Sequence, residues 1–151
     1  MGDVVIRPAS EGDVMSIAQL QGQWSNEGIT WGLVPDTPDG IRGHLGRYCY
    51  VAELRGDVIG YATGQVLPDP ERAALPAGKP CLEITDLYVA PSFRSHGIGS
   101  SLLDSLLGCA KAAGVTSFLL SSGTKDIART VSFYERHGFT VVGVEMVSTP
   151  G

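Results

Sequence analysis

One turn in this chain is equipped for chemistry before any fold is assigned. Arg94-Ser95-His96-Gly97-Ile98-Gly99-Ser100 joins a β-rich run to a run with helical spacing. Inside it, Arg94-x-x-Gly97-x-Gly99 sets two glycines behind a guanidinium. Glycine has no Cβ, so the backbone can come close to a ligand and leave its N–H groups uncovered. A helix starting there adds orphan N–H groups and the positive end of its dipole. Such a turn suits an anion of the pyrophosphate kind. Arg94 can add a charge-assisted bond, and Ser100 a hydroxyl.

Two rival phosphate motifs fail on residue identity. A dinucleotide fingerprint starting at Gly97 needs a third glycine where Leu102 stands. A P-loop needs Gly-Lys-Ser/Thr, which the chain lacks.

The elements that must hold this turn follow from the apolar pattern. Val4–Ile6 reads as a first strand, and Ser10 as the cap of a helix carrying Val14, Ile17, Ala18 and Leu20, with Asp13 in its first turn. Gly28, Gly32, Pro35, Pro38 and Gly40 break up the next stretch, and a short helix is expected near Ile41–Gly46. Tyr48–Arg55 and Val58–Val66 form a hairpin turning at Arg55-Gly56-Asp57. Four prolines make Leu67–Pro80 an exposed loop. Cys81–Ala90 is a strand, and Ile98, Leu102, Leu103, Leu106, Leu107 and Ala110 mark a helix closed by Gly114. Val115–Leu120 is a strand, Ile127–His137 a helix, and Phe139–Val147 a last strand or two. The order predicts an α/β domain: a mixed central β-sheet flanked by helices, one domain over residues 1–151.

Composition narrows the class. With 151 residues and 43% hydrophobic, the chain can build one core. A net charge of −5 makes a nucleic-acid partner a poor expectation. No stretch has the roughly 20 apolar residues of a membrane span, and the start of the sequence lacks the apolar run of a signal peptide. Cys49, Cys81 and Cys109 have neither CxxC nor metal-ligand spacing, which suits reduced thiols and a cytoplasmic setting. His44, His96 and His137 share no ligand spacing, so no metal site is expected. His137, just before a helix-ending glycine, reads as an ordinary C-terminal helix residue.

The turn resembles motif A of the GNAT superfamily of N-acetyltransferases, Arg/Gln-x-x-Gly-x-Gly/Ala between a strand and a helix. Asp86-Leu87-Tyr88-Val89-x-Pro91 is similar to that family's approach strand, and Ile6-Arg7-Pro8-Ala9 to its first. Ser132-Phe133-Tyr134-Glu135-Arg136-His137-Gly138-Phe139 looks like its second mark, a helix ending in Phe-Tyr followed by Gly-Phe. The resemblance covers nearly the whole chain. Departures fall at Ile127, Thr130 and His96, where the family often has Asn, Ala, and Gly or Lys.

The resemblance implies a GNAT-like acyl-CoA N-acyltransferase fold, acetyl-CoA as cosubstrate, and transfer of its acetyl group to a primary amine by direct attack. In that view the Leu87, Tyr88 and Val89 backbone holds the pantetheine arm. Arg94, Ser95, His96, Gly97, Ile98, Gly99 and Ser100 hold the pyrophosphate. A lysine-like amine, with a pKa of about 10.4, must lose a proton before attack. Tyr134 is the expected general acid. Glu83 and Asp86 are the candidate bases; strand alternation puts them on opposite faces, with Glu83, Thr85 and Leu87 sharing one.

The acceptor, a small-molecule or peptide amine, is expected against residues 24–40 and 67–80. Trp24, Trp31, Glu27, Asp36 and Asp39 stand in the first of these. Two other readings remain: a non-catalytic acetyl-CoA sensor or interaction module, and an enzyme using another acyl-CoA. A homodimer through the last strand or an exposed apolar face is compatible with the chain.

Overall fold

A computed structural model describes residues 2–151. Its elements are β1 (Val4–Pro8), α1 (Val14–Glu27), α2 (Pro38–Arg42), β2 (Cys49–Leu54), β3 (Asp57–Leu67), β4 (Cys81–Val89), α3 (Ile98–Ala112), β5 (Phe118–Leu120) and α4 (Ile127–Glu135). The five strands form one sheet in sequence order. The first four are antiparallel, and β5 runs parallel to β4 after the α3 crossover. The mixed sheet flanked by helices is as expected from the sequence.

Each face of the sheet is covered by a different helix. On one side Leu102, Leu103, Leu106 and Ala110 of α3 are fully buried against Ala52, Ala62, Leu82 and Ile84. On the other, Val14, Ile17 and Leu20 of α1 pack with Ile41 of α2 on Val51, Tyr61 and Tyr88. Cys49 and Cys81 are wholly buried, as small apolar residues are.

β4 and β5 meet only briefly. Their ladder runs from Leu82 and Phe118 to Ile84 and Leu120, and there it stops. From Thr85 onward β4 has no partner strand on that side. At the same point a bulge interrupts the β3–β4 ladder: Thr63 faces Asp86 while Gly64 faces Ile84, leaving Thr85 extra. The bulge reverses the alternation. Leu82 and Ile84 before it, and Leu87 and Val89 after it, pack on the α3 side. Asp86 reaches Tyr61 and Gln21 on the α1 side. Glu83 and Asp86 therefore share a face, and Leu87 does not share it with Glu83, contrary to strict alternation.

Other expectations are corrected in both halves of the chain. The short helix lies at Pro38–Arg42, where Thr37 caps it by accepting from Gly40 N–H, and not at Ile41–Gly46. The strand after α3 is only Phe118–Leu120. No strand forms over Phe139–Val147: residues 140–151 carry no regular structure, and Val142, Val144, Met146 and Val147 are exposed. β-propensity makes no strand without a ladder to join, and among the described residues this segment pairs with no strand. No helix among the described residues is long and apolar enough to cross a membrane.

The start of α1 is tied to β1. Asp13, 5% exposed, accepts two hydrogen bonds from Arg7 at 2.8 and 2.9 Å and one from Ser10 N–H at 2.8 Å. The Arg7 bonds, aided by Ser10, hold the Asp13 carboxyl below the usual carboxylate range against the opposing effect of burial. A lowered carboxyl contributes stability above its unfolded value, and that contribution fades as pH falls through the folded one. Asp13→Asn is expected to cost about 2 kcal/mol in urea unfolding at neutral pH. The loss should shrink toward zero in acid below the ordinary carboxylate range.

Candidate active site

Where β4 and β5 part, a cleft of about 930 Å³ opens between β4, the Arg94–Ser100 turn, α4 and the loop after β5. Three features make its walls polar in an ordered way.

The first is the free edge of β4. Ala90 N–H bonds Ile59 O on β3. By alternation Tyr88 also turns its backbone toward β3, so Leu87 and Val89 turn theirs to the cleft. The Val89 carbonyl is taken by Arg94 Nε at 2.9 Å. The Val89 N–H and both Leu87 groups are left for a ligand.

The second is the turn. Ser95 (φ +66°) and Gly97 (φ +78°) are left-handed, and Gly97 is the N-cap of the 15-residue α3. No backbone partner takes the N–H groups from Ser95 to Ser100; the next one, Ser101 N–H, closes back on Gly97 O. Such a run of N–H groups at the positive end of a helix dipole has the chemistry to hold an anion. Lys125, Arg129 and Arg136 also line the cleft. A Cβ on Gly99 would sit 3.7 Å from the Phe133 ring, so the turn and α4 lie in close contact.

The third is a pair of titratable side chains. Tyr134 lines the cleft, edge-on to Phe133 and Phe139 with ring centroids 5.0 and 5.5 Å away. Burial pushes its hydroxyl up to about 12. Asp86 lines the same cleft and accepts from Tyr61 OH at 2.8 Å and Gln21 Nε2 at 3.4 Å. Burial raises its pKa, with nearby Asp36 adding to the rise; the Tyr61 and Gln21 bonds and His44 oppose it.

Not every candidate converges here. Glu83 lies outside the cleft lining and accepts from Gln65 at 2.7 Å. The His96 ring is exposed and turns back on its own loop, 2.8 Å from Arg94 O. Arg94 lines the cleft, but its guanidinium is engaged elsewhere. Both terminal nitrogens donate to Glu27 at 2.8 Å, and Tyr88 OH donates to the same carboxylate. The guanidinium that the resemblance assigns to the pyrophosphate thus forms, in this structure, an ion pair tying the turn to α1. Tyr88 itself is stacked under Trp24, with centroids 5.0 Å apart. Burial alone would raise Glu27, yet the Arg94 and Tyr88 bonds prevail and its pKa is lowered.

Some lining groups were not singled out from the sequence. Arg129 of α4 and its N-cap Asp126 lie on the same helical face as Thr130, Phe133 and Tyr134, a spacing that was readable. The strap over the cleft was not. Thr30 and Thr124 form an antiparallel bridge, with Trp31 N–H on Gly123 O at 2.7 Å and Lys125 N–H on Ile29 O at 2.9 Å. Lys125 Nζ stands 4.4 Å from the Trp31 ring centroid. A Cβ at Gly123 would lie 2.7 Å from Trp31 O, so only glycine fits there without displacing the strap.

Residues 18–139 match the model of the acetyltransferase (GNAT) family. No curated protein matches the sequence. Among solved structures, the chain is similar to AAC(6')-Iy in complex with a CoA bisubstrate analogue, with TM-score 0.77 and 16% identity over 99% of each chain. It is also similar to a predicted acetyltransferase from Clostridium acetobutylicum with acetyl-CoA, with TM-score 0.72 and 21% identity over 97% of this chain and 96% of that one. Glucosamine-6-phosphate N-acetyltransferase from Arabidopsis thaliana gives TM-score 0.71 and 18% identity over 98% and 99%. At these identities the structures speak for the fold.

Glu27→Gln removes the charge that holds Arg94. Thermal unfolding should report a loss of about 1–2 kcal/mol at neutral pH. Because Glu27 is lowered in the fold, its contribution is present above its unfolded value and is lost in acid. The two proteins should therefore converge as pH falls through the folded value.

Proposed function

The chain belongs to the acetyltransferase (GNAT) family, and from that premise we propose that it moves the acetyl group of acetyl-CoA to a primary amine. The observation that carries this reading is the convergence of a free N–H run, an open strand edge and two titratable side chains, Asp86 and Tyr134, on one cleft.

The residues present fit the cosubstrate. The uncovered N–H groups of Ser95–Ser100 suit a pyrophosphate, and the Leu87 and Val89 backbone suits the amide-bearing arm. Lys125, Arg129 and Arg136 suit the remaining negative charge. When bound, acetyl-CoA supplies an activated acetyl group on a thiol leaving group.

The chain's own groups divide the proton work. Asp86 is the proposed base, directly or through a water. Burial makes it a stronger base than an ordinary carboxylate, and Tyr61 and Gln21 hold it in place. It is preferred to Glu83, which is occupied by Gln65 away from the cleft. Tyr134 is the proposed acid: at about 12 it keeps its proton through the neutral range and can present it to the leaving sulfur. The Val89 N–H is the proposed donor to the carbonyl oxygen. Arg94 acts as a positioning residue, bracing the Val89 carbonyl and the turn against α1. The acceptor is proposed to be a small-molecule or peptide amine entering past Asp86 and residues 24–40.

Calorimetry with acetyl-CoA, CoA and ATP tests the premise. Selective binding of the first two is expected, and equal or absent binding of all three would remove it. An amine screen following thiol release then seeks the acceptor. Tyr134→Phe should lower kcat by about 10²-fold while the acetyl-CoA Kd holds; an unchanged kcat would eliminate Tyr134 as the acid.

Asp86→Asn should lower kcat/KM by a similar factor of about 10² and abolish its acid limb, because the base works only when ionised. Its melting temperature should hold or rise. A raised carboxyl binds its proton more tightly in the fold, so stability declines as pH climbs from the ordinary carboxylate value through the raised one.

A further inference from the structure

Ser100, His137 and Asp104 form a chain that the acetyl-transfer scheme above does not use. Ser100 and Asp104 stand one helical turn apart on α3. His137 comes from beyond α4, its backbone N–H bonded to Tyr134 O at 2.9 Å. Its side chain is only 14% exposed and lies against the Phe133 ring, with centroids 5.0 Å apart. Nε2 is 3.0 Å from Ser100 Oγ, and Nδ1 is 3.3 Å from Asp104 Oδ1. Ser100 also lines the cleft, at the end of the uncovered N–H run.

The direction of the Ser100 bond decides what the cleft meets. A hydroxyl has one proton to give. The Asp104 carboxylate favours a proton on Nδ1. In the neutral ring Nε2 is then an acceptor, and Ser100 spends its proton on it. The cleft receives only the lone pairs of Ser100, which repel an anion. In the doubly protonated ring Nε2–H donates to Ser100 Oγ instead. The hydroxyl proton is released to point into the cleft, and the imidazolium charge lies one bond behind it.

We propose that His137 is a proton-linked positioning residue: seating an anionic phosphate group of the cosubstrate against Ser100 draws one proton from solvent onto His137. The inference rests on the reading of this cleft as the CoA site. By linkage, the protonated ring tightens the anion and the anion tightens the proton by the same factor. The charged groups bearing on the ring are Asp104 across from it on α3, and Glu135 and Arg136 beside it at the end of α4. Arg136 is drawn toward Ser132 and the Phe133 ring. Lys125 and Arg129 line the same cleft and act on the anion.

The probe is CoA, titrated by calorimetry into the wild type, His137→Gln and Ser100→Ala in two buffers of different protonation heat. Thermal melts establish that each variant is folded. Ionisation of CoA itself is common to all three and cancels in the differences. The wild type should take up more protons per CoA bound than either variant. Its Kd should weaken at least about fivefold more between about pH 6 and about pH 8. Equal proton uptake and parallel pH profiles in the wild type and the folded variants would overturn the proposal. Ser100→Ala serves if His137→Gln does not fold. Absence of CoA binding by the wild type at every pH would instead overturn the cofactor reading, and this inference with it.

Discussion

The end of the β4–β5 ladder at Ile84 and Leu120 is the constraint on which the rest of this structure depends. Two parallel strands that stayed paired would bury their backbone groups in each other. Because they part, the Leu87 and Val89 groups need partners that the sheet does not supply. The cleft is polar for that reason, with no requirement for many charged side chains on β4. The bulge at Thr85 sits at the same point and completes the arrangement. It turns Leu87 and Val89 onto the α3 core and swings Asp86 toward α1, so one irregularity both anchors the open strand and aims a carboxylate.

Around this opening the fold connects its parts by polar contacts rather than by extra apolar packing. Glu27 at the end of α1 holds Arg94 and Tyr88, and Arg94 holds the Val89 carbonyl. The Thr30–Thr124 bridge ties the segment after α1 to the loop after β5. The first half of the chain is thereby joined to the second on both sides of the cleft. Placement of the Arg94–Ser100 turn depends on residues almost seventy positions earlier as much as on its own glycines.

Much of this was legible along the chain. Gly97 and Gly99 before an apolar helical repeat announced an N–H-lined turn, and the structure has one. The Phe133-Tyr134 pair before Gly138 brought Tyr134 to the cleft. Other expectations failed for identifiable reasons. The alternation of Glu83 and Asp86 presumed a regular strand, and a bulge leaves no clear mark in Glu-Ile-Thr-Asp. The Phe139–Val147 strand was read from its valines, but a strand needs a neighbour, and neighbours are not written in local sequence. The pairing of Arg94 with Glu27 was not legible, because the two lie in different elements.

The sequence by itself determined the order of elements as far as α4, the apolar faces of α1 and α3, the glycine turn before α3 and the family to which the chain belongs. These rest on short-range facts: side-chain period, backbone freedom at glycine, and the start of a helix. Only the tertiary structure decided which carboxylate faces the cleft, that Arg94 is bound to Glu27, and that Ser100, His137 and Asp104 meet. Those depend on a register shift and on contacts between residues far apart in the chain. Hydrogen-bond direction and burial have no value there until the backbone has brought the partners within about 3 Å of one another.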